Sequence, residues 1–187
     1  MSNTRISNLV VLFFMTIFFG LTFIATKFAL QGIGVFQLVF ARYALALSVL
    51  TALFWRSRHR FRIQRQDWKF FIVMTMIEPV GYFILETFGI RYTSPGSASL
   101  IIATIPIFSM IFATLLLKEK PGLLAVVGML VCFLGVYFIV NLQKTSSLAP
   151  SPLLGNVLVL GAATCAGLYN CYARRLTRNY APLTLTF

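Results

Sequence analysis

Six apolar runs, each about as long as a bilayer core is thick, decide what this chain can fold into. They cover residues 9–30, 35–55, 70–90, 97–117, 123–140 and 153–173. A helix rises about 1.5 Å per residue, so roughly 20 residues cross a hydrocarbon layer about 30 Å thick. In lipid the backbone must satisfy its own hydrogen bonds, which a helix does alone. A barrel would show alternation over segments of about 10 residues, whereas these runs are continuous. The expectation is an all-α polytopic membrane protein with the lipid bilayer as its solvent. The first run is too long for a signal peptide, and no clear small-residue cleavage site follows it.

The formal net charge of +12 would suggest nucleic acid as the partner of a water-soluble domain. Here 59% of residues are hydrophobic and 11% charged, so no polar domain exists to hold a duplex, and nucleic acid is set aside. The basic residues sit in the short connections instead. Arg5, Arg56, Arg58, Arg60, Arg62, Arg65, Lys69, Lys118, Lys120, Arg174, Arg175 and Arg178 fall on one side, and only Arg91 and Lys144 on the other. Cytoplasmic loops carry the excess of Lys and Arg. The N-terminus is therefore expected in the cytoplasm, with the protein in the plasma (inner) membrane. Turn residues close the hairpins: Gly32-Ile33-Gly34, Thr93-Ser94-Pro95-Gly96 and Lys120-Pro121-Gly122.

Enzyme chemistry finds no support. The lone histidine, His59, lies in a basic loop, and Cys132, Cys165 and Cys171 lie in apolar runs without a CxxC. That leaves no histidine-based metal cluster and no base beside a serine within the bilayer. No phosphate-cradling glycine loop occurs either. The reading is a non-enzyme without a cofactor.

Four ionisable residues stand inside the runs: Lys27, Arg42, Glu78 and Glu86. Each costs roughly 2.5–3.5 kcal/mol at mid-membrane on insertion scales, so such residues are rare and usually functional. Lys27, Arg42 and Glu86 lie toward the outer side. Lys27 either snorkels to the interface or serves the site. Arg42 and Glu86 either tie two helices together or serve the site. Glu78 lies too deep to snorkel and has no basic residue at its level, so it is expected either neutral or in water. Such a group suits binding a cationic group or coupling to protons. Pro79 removes a helix hydrogen bond beside it and Pro106 does the same in the fourth run, making both candidate helix breaks. Tyr82 stands one turn from both Glu78 and Glu86, where it either stacks on a ligand or fills space. Two stripes, Gly128–Cys132–Gly135 and Ala162–Ala166–Asn170, read as close helix packing.

A weak repeat appears at an offset of 147: Gly20-Leu21 with Gly167-Leu168, Lys27 with Arg174, and Leu38 and Phe40 with Leu185 and Phe187. Five spans separate the copies, so they have opposite orientation, a common plan of secondary transporters. The stretch 146–152, Ser-Ser-Leu-Ala-Pro-Ser-Pro, reads as a linker. It divides a first repeat at 1–145 from the start of a second at 153–187.

Several motifs then carry a resemblance. Phe19-Gly20-Leu21-Thr22-Phe23-Ile24-Ala25-Thr26-Lys27 resembles the first-helix motif of the EamA-type drug/metabolite transporters, with Phe19 in place of their usual Trp. Phe40-Ala41-Arg42-Tyr43 resembles their second-helix arginine motif. Gly89-Ile90-Arg91-Tyr92-Thr93-Ser94 and Ile105-Pro106-Ile107-Phe108 look like their third-to-fourth helix region. Leu117-Lys118-Glu119-Lys120, with Gly128 and Gly135, resembles the loop and fifth helix that follow, and Ala181-Pro182-Leu183-Thr184 the opening of the second copy's second helix. The resemblance implies a five-helix inverted-repeat transporter bundle, ten helices when complete. It would move a small-molecule substrate (a metabolite, amino acid or drug) by alternating access. Against that plan the chain is truncated, ending in its seventh helix. It is expected to be a fragment, or a short form completed by the missing second repeat or a homo-oligomer. The competing reading is a non-transporting membrane subunit or scaffold.

Overall fold

The computed structural model describes residues 2–57, 64–177 and 180. Arg58, His59, Arg60, Arg62, Arg178 and the expected start of a seventh helix at 181–187 lie outside the described residues. The described chain makes six helical spans, as expected of an all-α polytopic membrane protein. The first two are α1 (Ser2–Ala29) and α2 (Val35–Ser57). The third joins a 3₁₀ turn (Arg65–Asp67), α3 (Trp68–Thr75), a π-helical segment (Met76–Tyr82) and α4 (Phe83–Tyr92). The fourth is α5 (Pro95–Ile102) followed by α6 (Ile105–Leu117), and α7 (Leu123–Leu142) and α8 (Pro152–Leu176) complete the set.

The ends have local causes. Ser94 caps α5, its hydroxyl oxygen accepting from the Ser97 N–H at 3.2 Å, with Pro95 in the first turn. Helix α6 stops where Lys118 takes a left-handed conformation, φ 55°. The Ser-Pro stretch after α7 forms a tight turn, with Ser146 and Ala149 paired backbone to backbone.

Helix α8 holds the core. It buries Gly155, Asn156, Val159, Ala162, Ala163, Ala166, Gly167 and Cys171, against Phe23, Tyr82, Ile90, Ala98, Ile101 and Ile102 of the other helices. Lipid gives helices no hydrophobic reason to associate, so close van der Waals approach between small residues does the work. At Gly155 a Cβ would come within 2.5 Å of the Thr93 backbone N and 2.8 Å of the Gly89 O. At Gly167 it would meet Phe108 Cβ at 2.4 Å. Ala162 and Ala166 therefore lie in a helix interface, as expected, whereas Asn170, the third member of that stripe, is exposed. The Gly128–Cys132–Gly135 stripe does not: α7 buries no residue, and nothing lies within 4 Å of a Cβ at Gly128 or Gly135. Small residues permit close approach, but among the described residues no helix takes up that offer.

This contrast makes a prediction. Gly155→Ala should lower stability by about 1–3 kcal/mol, since the new methyl meets backbone that cannot step aside. Gly128→Ala should stay within about 0.5 kcal/mol of the parent. Thermal unfolding in detergent compares the two.

Candidate functional site

The deepest ionisable group stands on a disturbed helix. Pro79 has no N–H to give the carbonyl four residues earlier. The chain responds by winding as a π-helix from Met76 to Tyr82, so the third span stays continuous through Pro79. Bonds from i to i+5 place an extra residue in each turn, and such bulges are frequent at functional sites. Glu78 sits on this segment, at the middle of the span Arg65–Tyr92. Its side chain is half-buried and has no hydrogen-bond or ion-pair partner among the described residues. Tyr43 of α2, Tyr82 and Tyr169 of α8 all lie within its electrostatic range.

One turn beyond Tyr82, Glu86 is 4% exposed. Tyr82 donates its hydroxyl to Glu86 Oε1 at 3.0 Å. Arg42 of α2 approaches Glu86 Oε2 at 3.5 Å and lies over the Phe83 ring, 4.8 Å from its centroid. The pair is loose: Arg42 Nη1 and Glu86 Oε2 are buried without a hydrogen bond, and so is the Tyr43 hydroxyl. Buried polar atoms are nearly always bonded, so unpaired ones in one place mark somewhere a further group can bind.

Lys27 does something else. It is 8% exposed, and its ammonium donates to the carbonyls of Ile90 at 2.6 Å, Arg91 at 2.9 Å and Thr93 at 2.9 Å. A helix leaves its last four carbonyls without partners. In α4 all four are met: Gly89 by the Thr93 N–H, Ile90 and Arg91 by Lys27, and Tyr92 by the Ser151 N–H at 3.2 Å. A cation there also opposes the negative end of the helix dipole. Beside it a closed ring joins three elements. The Thr93 hydroxyl donates to Asn156 Oδ1 at 2.6 Å, Asn156 Nδ2 donates to Gln143 Oε1 at 3.0 Å, and Gln143 Nε2 donates back to Thr93 Oγ1 at 3.0 Å. Lys27 and this ring pin α1, α4 and α8 together with the end of α7.

Of the residues singled out in sequence, the structure brings together Arg42, Glu86 and Tyr82. Glu78 lies one turn deeper on the π segment that also carries Tyr82, with no hydrogen bond or ion pair to any of the three. Lys27 is separate, with its three donors on carbonyls rather than on Glu86. Pro106 lies in the first turn of α6, just past a turn at Ala103–Thr104 where the Thr104 hydroxyl and N–H both return to the Ile101 carbonyl, at 2.6 and 2.9 Å. The sequence reading missed Tyr43, Tyr169 and the Thr93–Gln143–Asn156 ring. Tyr43 was inside the arginine motif, and Thr93 and Asn156 were polar residues at run ends; neither signal names a partner.

The opposite end of the bundle carries the basic connections. There residues of α6, α8 and the loop after α6 line a cavity of ≈ 470 Å³, bordered by Pro106, Ser109, Thr114, Glu119, Asn170 and Arg174 among others. Arg174 Nη1 meets Glu119 Oε2 at 2.8 Å, and Asn170 Nδ2 donates to Ser109 Oγ at 3.1 Å. Tyr180 donates its hydroxyl to Asp67 Oδ2 at 2.5 Å, and that bond pushes the phenol's pKa up.

Comparison with known proteins gives this chain's relatives. The family model described as the EamA-like transporter family matches residues 6–141. The chain is 30% identical over 168 residues to the uncharacterized transporter YcxC of Bacillus subtilis, covering 90% of this chain and 54% of that one. It is 27% identical over 169 residues to an uncharacterized transporter of Archaeoglobus fulgidus, covering 90% and 58%. To the uncharacterized transporter YoaV of Bacillus subtilis it is 25% identical over 159 residues, covering 85% and 54%. The chain spans about half the length of these curated relatives. No solved structure matches it.

Proposed function

The chain belongs to the EamA-like transporter family, and on that premise we propose that it is the first repeat, with the start of the second, of a secondary transporter. The complete protein carries a small metabolite, amino acid or drug across the cytoplasmic membrane by alternating access. The N-terminus is cytoplasmic, which the basic residues at one end of the bundle support. The second repeat comes from the rest of a longer chain or from a second copy. The length of the curated relatives supports this, since each matched region is about half of the relative.

The observation that carries the reading is Glu78. A carboxylate at the centre of a span, on a π segment and without a partner among the described residues, is expensive in lipid and of little use to a scaffold. With Tyr43, Tyr82 and Tyr169 within its electrostatic range, it suits binding a cationic group or a coupling proton, with Arg42 and Glu86 forming the wall on the outer side. Substrate sites of secondary transporters lie near this depth, where repeats meet and helices are irregular.

The test is flux by the intact transporter in membrane vesicles, assayed with a panel of radiolabelled amino acids, sugars and cationic drugs. Glu78→Gln should abolish saturable flux of whichever panel member is carried, at unchanged protein level in the membrane. Wild-type flux in that variant, at acid and alkaline pH alike, would remove Glu78 from the site.

A further inference from the structure

The cavity between α6 and α8 lies outside the Glu78 site, and its lining runs along half of the fourth span. It begins at Ile105 and Pro106, where the fourth span is interrupted near its middle. It follows one face of α6 through Ser109 and Thr114 to the loop at Glu119–Pro121. Ten residues of helix at about 1.5 Å each cover roughly 15 Å, half of a hydrocarbon core. Polar groups recur along it: the Ser109–Asn170 bond, then Thr114, then the Glu119–Arg174 pair. A lipid-facing groove has no use for this series, because polar side chains at depth face water or protein. The volume of ≈ 470 Å³ also falls within the span of small-molecule sites, about 300–1,000 Å³.

The charge at the mouth selects what enters. Arg174 and Lys120 line the cavity with one carboxylate, Glu119, so its lining carries one excess positive charge among the described residues. The Arg174 and Glu119 side chains are 63% and 41% exposed, and exposed pairs hold weakly. An incoming carboxylate or phosphate can therefore take Arg174 from Glu119, while Asn170 and Ser109 supply hydrogen bonds deeper in.

We propose that the α6/α8 cavity is the cytoplasmic arm of the transport path and a binding site for solutes bearing an anionic group. This rests on the transporter reading above and on the N-terminus being cytoplasmic.

The experiment is thiol labelling in the intact protein with Cys132, Cys165 and Cys171 replaced by alanine. Asn170→Cys, and separately Thr114→Cys should the first fail to accumulate, is exposed in inside-out vesicles to anionic and cationic methanethiosulfonates of similar size. Each rate is normalised to that with a free small thiol. The anionic reagent is expected to react about fivefold faster, ~1 kcal/mol at 1.4 kcal/mol per decade, and Arg174→Glu should reverse the order. No reaction from the cytoplasmic side, or an order indifferent to the charge at 174, overturns the proposal. Labelling requires no flux, and adding Glu78→Gln should leave it unchanged. Loss of flux in Glu78→Gln without the labelling pattern therefore rejects the cavity alone, and the pattern without any flux rejects transport alone.

Discussion

Lys27→Met is expected to cost the protein about 3 kcal/mol or more and to deplete it from the membrane. Three carbonyls at the end of α4 lose the ammonium that serves them at 2.6–2.9 Å. A hydrogen bond to a charged group contributes roughly 1.5–3 kcal/mol, and a buried acceptor left unpaired costs about 1–3 kcal/mol. Methionine fills the space of the lysine stem, so the loss is one of hydrogen bonding rather than volume. Lys27→Arg should recover only part of it, because a planar fork does not converge on three acceptors as an ammonium does. Thermal unfolding in detergent and the amount of protein in isolated membranes measure both variants. The competing role, a lysine that touches substrate, makes the opposite prediction: normal stability and level, with flux alone reduced.

That contrast shows what the sequence could and could not convey. A lysine in an apolar run announces that it needs a partner, because an unpaired cation in lipid is too costly. The sequence offers it the interface or a place in the site. It has no means of weighing backbone carbonyls, since every residue carries one and only the packing of α1 on the end of α4 decides which are open. The spans were legible for the opposite reason: length and apolarity are local, and the bilayer imposes them on each segment separately. The stripes fell between. Ala162–Ala166 and Gly128–Cys132–Gly135 are similar as strings, yet one lies in the core and the other buries nothing. Pattern shows that close approach is allowed, while the neighbour that makes it is a tertiary fact. At Pro79 the missing N–H was readable, but whether the helix kinks or winds as a π segment depends on what packs against it, here Cys165 of α8 lying 3.4 Å from where a Cβ on Gly81 would be.

The Arg42–Glu86 pair offers the second large effect. Arg42→Leu is expected to destabilise the protein by roughly 3–5 kcal/mol, the usual cost of stranding one member of a buried ion pair. Glu86 is almost fully enclosed and, among the described residues, would keep only the Tyr82 hydroxyl at 3.0 Å. Adding Glu86→Leu should restore most of the stability, since an apolar pair of similar volume often replaces a buried ion pair at no net cost. Stability and transport should then part company. If the pair only tied α2 to α4, the double variant would be both stable and active. A 3.5 Å contact with atoms of both partners lacking hydrogen bonds is a poor tie, and it is better suited to opening when a substrate or a moving helix offers either side a better partner. The double variant is therefore expected to be stable in detergent, present at wild-type level in the membrane, and without saturable flux. A double-mutant cycle in unfolding free energy, run beside vesicle flux on the same four proteins, separates the two roles: recovery of flux along with stability would reduce the pair to a structural contact.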